Sequence, residues 1–317
     1  MKYRFYMEPQ SGYKPIVDFI RNSKKFLYMN YYLIDDKNII EEIKNKAKTD
    51  IDLRIIVDGR PYGINGSDGT EDEIKLLRDT GARVKIAPAR FEKPNVFDHA
   101  KYMVTDNAGN IGTLNLTEAA FKKNREYGVI TTEKNVIESL KDVFLSDWEN
   151  KDAGEVSGDN LIISPGSGND IRDFISRQKK VKVETEEMGD DDEVLNEFKK
   201  LGKKVKIIVP ASVSSTDVKN LKELSKSGVK IKYMNPEKIY IHAKAIIGAK
   251  EVFIGSENFT KSSLNKNREI GIIIKKHQII SRIRDKFDRD WKKANKNLNK
   301  VRGKKTLAKK SQESQTD

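Results

Sequence analysis

The stretch DHAKYMVTDNAGNIGTLNLTEAAFKKNREYGVI, residues 98–130, is written a second time as IHAKAIIGAKEVFIGSENFTKSSLNKNREIGII, residues 241–273. At a constant offset of 143, His99 meets His242, Lys101 meets Lys244, Gly112 meets Gly255, Thr113 meets Ser256 and Asn115 meets Asn258. Asn124-Arg125-Glu126 meets Asn267-Arg268-Glu269, and the register runs without a gap to Phe144, Asp147 and Trp148, which meet Phe287, Asp290 and Trp291. Chance explains such a match poorly. Two long units point to a duplicated domain rather than a solenoid.

Upstream the copies match more loosely. SGYKPIVDFI (11–20) resembles SGNDIRDFIS (167–176), and LLRDTGARVKI (76–86) resembles ELSKSGVKIKY (223–233). The halves therefore span 1–150 and 155–291, with the small-residue, polar DAGEVSGDN (152–160) as linker. Helix and strand signals alternate in both. In the first half a helical face of Ile16, Phe19 and Ile20 follows Pro15, a strand covers Phe26–Ile34, and Ile39, Ile40, Ile43 and Ala47 line a second helix. LRIIVD (53–58), the helix EDEIKLLRDTG (71–81) and VKIAPA (84–89) complete the series, and the second half repeats it. Such alternation predicts an α/β class: two duplicated α/β/α sandwich halves on mixed or parallel sheets.

In a strand, residues two apart share a face, so the His and Lys of each His-x-Lys point the same way. The neighbouring strand brings Thr113 and Asn115, or Ser256 and Asn258, to a common face. An imidazole with an unperturbed pKa of ~6.5 serves as nucleophile, acid or base at neutral pH. Lysine supplies fixed charge for an anionic phosphate, and Thr113, Asn115, Ser256 and Asn258 are candidate phosphate-binding groups. Two facing sets do more: one histidine attacks phosphorus while the other protonates the leaving oxygen. Glu126 and Glu269 are candidates to orient the imidazoles, the alternative being ion pairs with Lys or Arg. The candidate catalytic residues are thus His99, Lys101, His242, Lys244, Glu126 and Glu269. His277, the third histidine, has no counterpart and is expected at the surface.

Cysteine is absent, which excludes disulfides and thiolate metal sites and favours a cytoplasmic location. The acidic EEMGDDDE (186–193) is read as a solvated loop rather than a metal site, and the Gly-rich GINGSDGT (63–70) lacks the P-loop form. No metal or other cofactor is expected. No apolar run reaches the ~20 residues of a membrane span, and the N-terminal segment has no apolar signal region. The net charge is +13, of which residues 292–317, with nine Lys/Arg against two acidic residues, carry +7. That tail is expected to be disordered, and the basic balance suits a polyanionic partner.

These residues resemble the phospholipase D superfamily, whose signature is H-x-K-x4-D-x6-G-[ST]-x-N. The first copy fits throughout with His99, Lys101, Asp106, Gly112, Thr113 and Asn115; the second has Ala249 where Asp is expected. The resemblance implies halves related by a pseudo-twofold axis with one site at their interface. It also implies Glu126 orienting His242, Glu269 orienting His99, His99 as nucleophile and His242 as acid; a monomer with an internal pseudo-dimer is expected. Because the superfamily spans lipases, lipid synthases and nucleases, substrate rests on other signals. The charge and the narrow cleft expected between two halves favour a metal-independent nuclease acting on single-stranded DNA or RNA through a phosphohistidine, with no obligatory membrane. The rivals are a phospholipase D or phosphatidyltransferase acting on phospholipids, and a non-catalytic nucleic-acid-binding protein.

Overall fold

In the computed structural model, which describes residues 2–61, 66–152 and 160–302, each half builds one mixed sheet with the same strand order. The first half contributes β1 (Tyr3–Glu8), β2 (Phe26–Tyr31), β3 (Asp52–Val57), β4 (Arg83–Ile86), β5 (Lys101–Thr105), β6 (Gly109–Gly112) and β7 (Asn124–Thr131). They lie in the order β1-β7-β6-β5-β2-β3-β4. The second half contributes β8 (Leu161–Ser164), β9 (Val181–Thr185), β10 (Val205–Pro210), β11 (Lys230–Met234), β12 (Tyr240–Ile241), β13 (Lys244–Ile247), β14 (Val252–Gly255) and β15 (Glu269–Ile274). Its sheet reads β8-β15-β14-β13-β9-β10-β11, the same topology. The β2-β3-β4 and β9-β10-β11 blocks are parallel and the other pairs along these orders antiparallel, while β12 crosses to the first sheet and joins β7 in parallel.

The helices follow local signals. α1 (Lys14–Asn22) starts with Pro15 in its first turn, and α2 (Lys37–Ala47) is capped by Asp36, whose carboxylate accepts from the Asn38 and Ile39 amides. α3 spans Gly66–Arg78, five residues ahead of the start expected at 71, and Gly81 beyond its end takes a left-handed φ of 93°. Thr117 and Thr260, paired in the repeat, cap the short α4 (Glu118–Lys122) and α9 (Lys261–Asn265). α5 (Lys134–Trp148) closes the first half. α6 (Gly168–Ser176), α7 (Asp192–Leu201) and α8 (Ser215–Lys226) repeat the outer layer, and α10 (His277–Lys293) repeats α5. His277 is exposed at its start.

Two apolar clusters fill the outer faces, α1–α3 against the first sheet and α6–α8 against the second. A third runs through both halves, joining Tyr127, Val129, Leu140 and Phe144 to Ile241, Ile270, Ile280 and Phe287. The halves thus share one interior, and α5 and α10 lie inside it. Trp148 and Trp291 close its ends, stacked at 5.9 and 5.7 Å on Phe144 and Phe287.

The expected strand Phe26–Ile34 stops at Tyr31, and the edge strands β1 and β8 had no sequence signal. Five of six residues of β1 are buried, so polar and apolar residues do not alternate there. The basic tail departs from its expected disorder as far as residue 302. Asn295 exchanges backbone hydrogen bonds with Tyr233, and α11 (Leu298–Arg302) follows. Arg302 donates to the Ala211 and Val213 carbonyls, which gives a polar segment fixed partners despite its composition. Residues 153–159 of the linker, 63–65 of the Gly-rich stretch and 303–317 of the tail lie outside the described residues.

Glycines pair across the sheet beside each motif: Gly112 faces Gly128, and Gly255 faces Gly271. A Cβ at Gly255 would lie 2.6 Å from the Gly271 Cα and press on the Glu257 carboxylate. Gly255→Ala is expected to cost ~1–3 kcal/mol of stability, measurable by urea unfolding. Wild-type stability in this variant would mean the strands separate freely there.

Candidate active site

Neither histidine lies within a strand. His99 sits two residues before β5 begins and His242 two before β13, each held at the interface by the other half. The His99 amide donates to the Arg268 carbonyl at 2.9 Å, and the His242 amide to the Arg125 carbonyl at 3.3 Å. β12 pairs with β7 at Tyr240–Asn124 and Ile241–Arg125, and Asp98 bridges Arg268 in the equivalent place. Each His-x-Lys is therefore threaded against the Asn-Arg-Glu segment of the opposite copy.

That threading sets the carboxylates. Glu269 Oε2 lies 2.9 Å from His99 Nδ1, and Glu126 Oε1 lies 2.8 Å from His242 Nδ1. The first contact is a well-directed hydrogen bond; the second has the distance of an ion pair without the alignment. Both glutamates are fully buried. Thr113 donates to Glu126 at 2.5 Å, with Asn124 at 3.1 Å. Ser263 donates to Glu269 at 2.6 Å, with Asn267 at 3.4 Å.

Burial dominates the electrostatics. It pushes His99 well below the ordinary imidazole value, helped by Lys101 and Lys244, so the ring is neutral at pH 7. Burial, then Lys244, brings Lys101 down to about 7. Burial raises Glu269 to about 7 against the pull of Lys101 and its hydrogen bonds. Both ammonium groups are buried, and each donates at 2.8 Å to its own histidine's carbonyl. Lys101 also lies over the Tyr32 ring at 5.1 Å, and Lys244 reaches Glu186 Oε2 at 2.6 Å.

Two expected phosphate ligands point elsewhere. The Thr113 hydroxyl spends its proton on Glu126 and accepts from the Tyr127 amide at 3.0 Å; the Ser256 oxygen accepts from the Ile270 amide at 3.0 Å. These hydroxyls fix the glutamate strands instead of facing the site. Asn115 Oδ1 and Asn258 Oδ1, by contrast, are buried without a hydrogen-bond partner among the described residues. Arg125 and Arg268 bind carboxylates rather than the site: Arg125 Nε meets Asp290 at 2.7 Å and Arg268 Nε meets Asp147 at 2.8 Å, each across the interface. At the divergent turn, Asp106 accepts from the Lys25 amide at 3.3 Å. Around Ala249, Arg284 from α10 instead holds the Gly248 and Ala249 carbonyls at 3.1 Å.

The acidic 186–193 stretch is not a solvated loop throughout. Asp191 caps α7, Met188 is buried, and Glu186 reaches the site. Glu186 Oε2 stands 3.3 Å from His242 Nε2, and Tyr240 donates to Oε1 at 2.7 Å. Sequence reasoning missed Glu186 because its counterpart is not acidic. The available signal was its place just past the strand VKVET, beside the motif strand.

A family model described as "Cardiolipin synthase, PLD-like domain" matches residues 16–148 and 171–291. Cardiolipin synthase 2 of Bacillus cereus is 24% identical over 309 residues, covering 83% of this chain and 59% of that protein. Cardiolipin synthase of Listeria welshimeri is 30% identical over 140 residues, covering 44% of this chain and 27% of that protein. The chain thus spans 59% of the length of the first relative and 27% of the second, less than two thirds of either. Among solved structures, phosphatidylserine synthase of Haemophilus influenzae aligns with a TM-score of 0.72 at 14% identity, over 94% of this chain and 88% of that one. Polyphosphate kinase of Porphyromonas gingivalis aligns with a TM-score of 0.69 at 13% identity, over 90% and 50%. At such identities the structural likeness speaks for the fold alone.

These matches overturn the expectation of a nuclease with single-stranded DNA or RNA as partner, since the sequence relatives are named as phospholipid synthases. The physical reason is that imidazoles and lysines suit any phosphodiester, a group nucleic acids and phospholipids share, while net charge is blind to which of them a chain takes. Its doubled His-x-Lys motif, strand order and family match place this chain in the cardiolipin synthase, PLD-like domain family of the phospholipase D superfamily.

Proposed function

We propose that this chain is a phosphatidyltransferase that exchanges the headgroup alcohol of a phospholipid through a phosphohistidine. The observation that carries the reading is the pair of histidines, each set against a buried glutamate of the other half, in a chain whose relatives are cardiolipin synthases. His99, neutral and turned by Glu269, attacks phosphorus with Nε2. The bond from phosphorus to the headgroup oxygen breaks, and His242 gives that oxygen its proton. A second alcohol then delivers its proton to His242 as its oxygen attacks phosphorus, and the phosphorus–nitrogen bond breaks. Lys101 and Lys244 neutralise the non-bridging oxygens, with Asn115 and Asn258 beside them. The site favours transfer over hydrolysis to the degree that it excludes water. The histidine side chains are only 13% and 10% exposed, which supports that preference.

With phosphatidylglycerol vesicles in excess EDTA, the expected products are cardiolipin and free glycerol, resolved by mass spectrometry. Formation of phosphatidic acid alone would replace transfer with hydrolysis and overturn the proposal.

A further inference from the structure

The repeat makes the two motif copies nearly interchangeable, yet the reaction needs one histidine to attack and the other to carry a proton. The surroundings differ most directly in what stands against the two imidazole rings. Strand pairing matches Asn30 to Tyr102 and Glu184 to Ala245, so Tyr32 in the first half corresponds to Glu186 in the second. Tyr32 meets the His99 ring edge-on at a centroid distance of 4.8 Å and lies 6.0 Å from Phe97. At the related place, Glu186 sits 3.3 Å from His242 Nε2, and the counterpart of Phe97 is Tyr240, whose hydroxyl holds Glu186 at 2.7 Å. An aromatic pair on one side is thus a tyrosine–carboxylate pair on the other. The exchange is coordinated: the residue that supplies the hydrogen bond changes together with the residue that receives it.

We infer that Glu186 is the positioning residue that gives the site its direction, holding His242 as the proton carrier and leaving His99 as the nucleophile. The inference rests on the phosphatidyltransferase reading for the chemistry, but the geometry stands by itself. His242 has a carboxylate near each ring nitrogen, Glu126 Oε1 at 2.8 Å from Nδ1 and Glu186 Oε2 at 3.3 Å from Nε2, both at ion-pair distance. His99 has one carboxylate, Glu269, and an aromatic ring where the second would stand. The other charged and titratable groups around His242 are Lys244 on β13, Tyr240 on β12, Glu187 beside Glu186, and His99 with Lys101 across the interface. Burial alone would raise Glu186, yet His242, Lys244 and the hydrogen bonds from Lys244 and Tyr240 hold it well below the carboxylate range. It stays anionic beside His242, at the place where the first half sets the Tyr32 ring against His99. Glu186 also holds the Lys244 ammonium at 2.6 Å, while Lys101 has no carboxylate among its hydrogen-bond partners in the described residues. The first-half lysine is thereby left to the phosphate beside the attacking ring.

The full chain has three histidines, so ¹⁵N-histidine NMR resolves each ring, with exposed His277 as internal reference. At pH 7 the His242 Nε2 shift should differ between the wild type and Glu186→Gln, because the carboxylate 3.3 Å from that nitrogen is exchanged for a neutral amide. Glu186→Asp should restore most of that difference, and His99 should stay neutral at pH 7 in all three. An unchanged His242 Nε2 shift in Glu186→Gln, with the other two rings at wild-type positions, overturns the inference whether or not lipid is turned over. Quenched reactions with phosphatidylglycerol, followed by peptide mapping at alkaline pH, give the second readout. The phosphatidyl group should sit on His99 alone in the wild type and on both His99 and His242 in Glu186→Gln. Exclusive His99 labelling in the variant also overturns the inference. Failure of transfer in the wild type, with the NMR difference intact, would count against the proposed function and leave the role of Glu186 standing.

Discussion

His99→Ala is expected to lower phosphatidyl transfer by ~10⁴-fold or more, because it removes the atom that forms the covalent intermediate. Adding His242→Ala should cost little further, since residues acting as one unit are grossly non-additive. Lysine carries a separable part. Lys101→Met should lower kcat/KM by ~10²–10³-fold through lost stabilisation of charge on the phosphoryl oxygens. Its pH signature is more telling than its size. Lys101 is pushed down to about 7, so its charged form is present below that pH and lost above it, and kcat/KM should fall as pH rises through 7. Glu269 is raised to about 7, so its ionised form is lost below that pH and the acid limb should fall there as well. His99, held well below its usual value, contributes no limb near neutrality. The expected profile is a narrow bell centred near pH 7. Lys101→Met should abolish the alkaline limb while keeping the acid one; an alkaline limb that survives with its midpoint unmoved would refute this assignment.

The gapless match from His99 to Trp148 and from His242 to Trp291 made the duplication and the paired motifs legible, because each motif histidine meets the glutamate of the other copy and each arginine the aspartate of the opposite long helix. Thr113 and Ser256 show where one-dimensional spacing misleads. They stand two residues before Asn115 and Asn258, but the sheet turns their hydroxyls toward the glutamates. Glu186 was illegible for the opposite reason. Comparing the copies highlights what they share, and this residue matters through what they do not. Substrate was misjudged because composition measures charge, and an anionic lipid surface attracts a basic chain as readily as a nucleic acid does.

Asp290→Ala is expected to destabilise the chain by ~3–5 kcal/mol, the cost of leaving a buried guanidinium without its partner. Arg125 and Asp290 have side chains only 1% exposed and come from opposite halves, as do Arg268 and Asp147. Arg125 also donates to the Glu8 carbonyl and, at 2.8 Å, to Gln10; Arg268 donates to the Ser164 carbonyl at 2.8 Å. Each guanidinium therefore ties its own strand, the opposite long helix and a segment leading from an edge strand. At ~2–4 °C per kcal/mol for a chain of this size, the melting temperature should drop by roughly 10 °C. Activity should fall by more than the lost folded fraction at a temperature where the variant remains native. Arg125 directly precedes Glu126, and displacing that carboxylate from His242 by about 1 Å is worth ~10²-fold in rate. Asp147→Ala should have the same effect through Arg268 and Glu269, acting on the other histidine. Arg125→Met in the Asp290→Ala background should recover part of the stability, because it removes the orphaned charge, while activity stays low. Recovery of activity along with stability would mean that the clamps only hold the halves together. Stability restored without activity would show that they also set the distance between each glutamate and the histidine it serves.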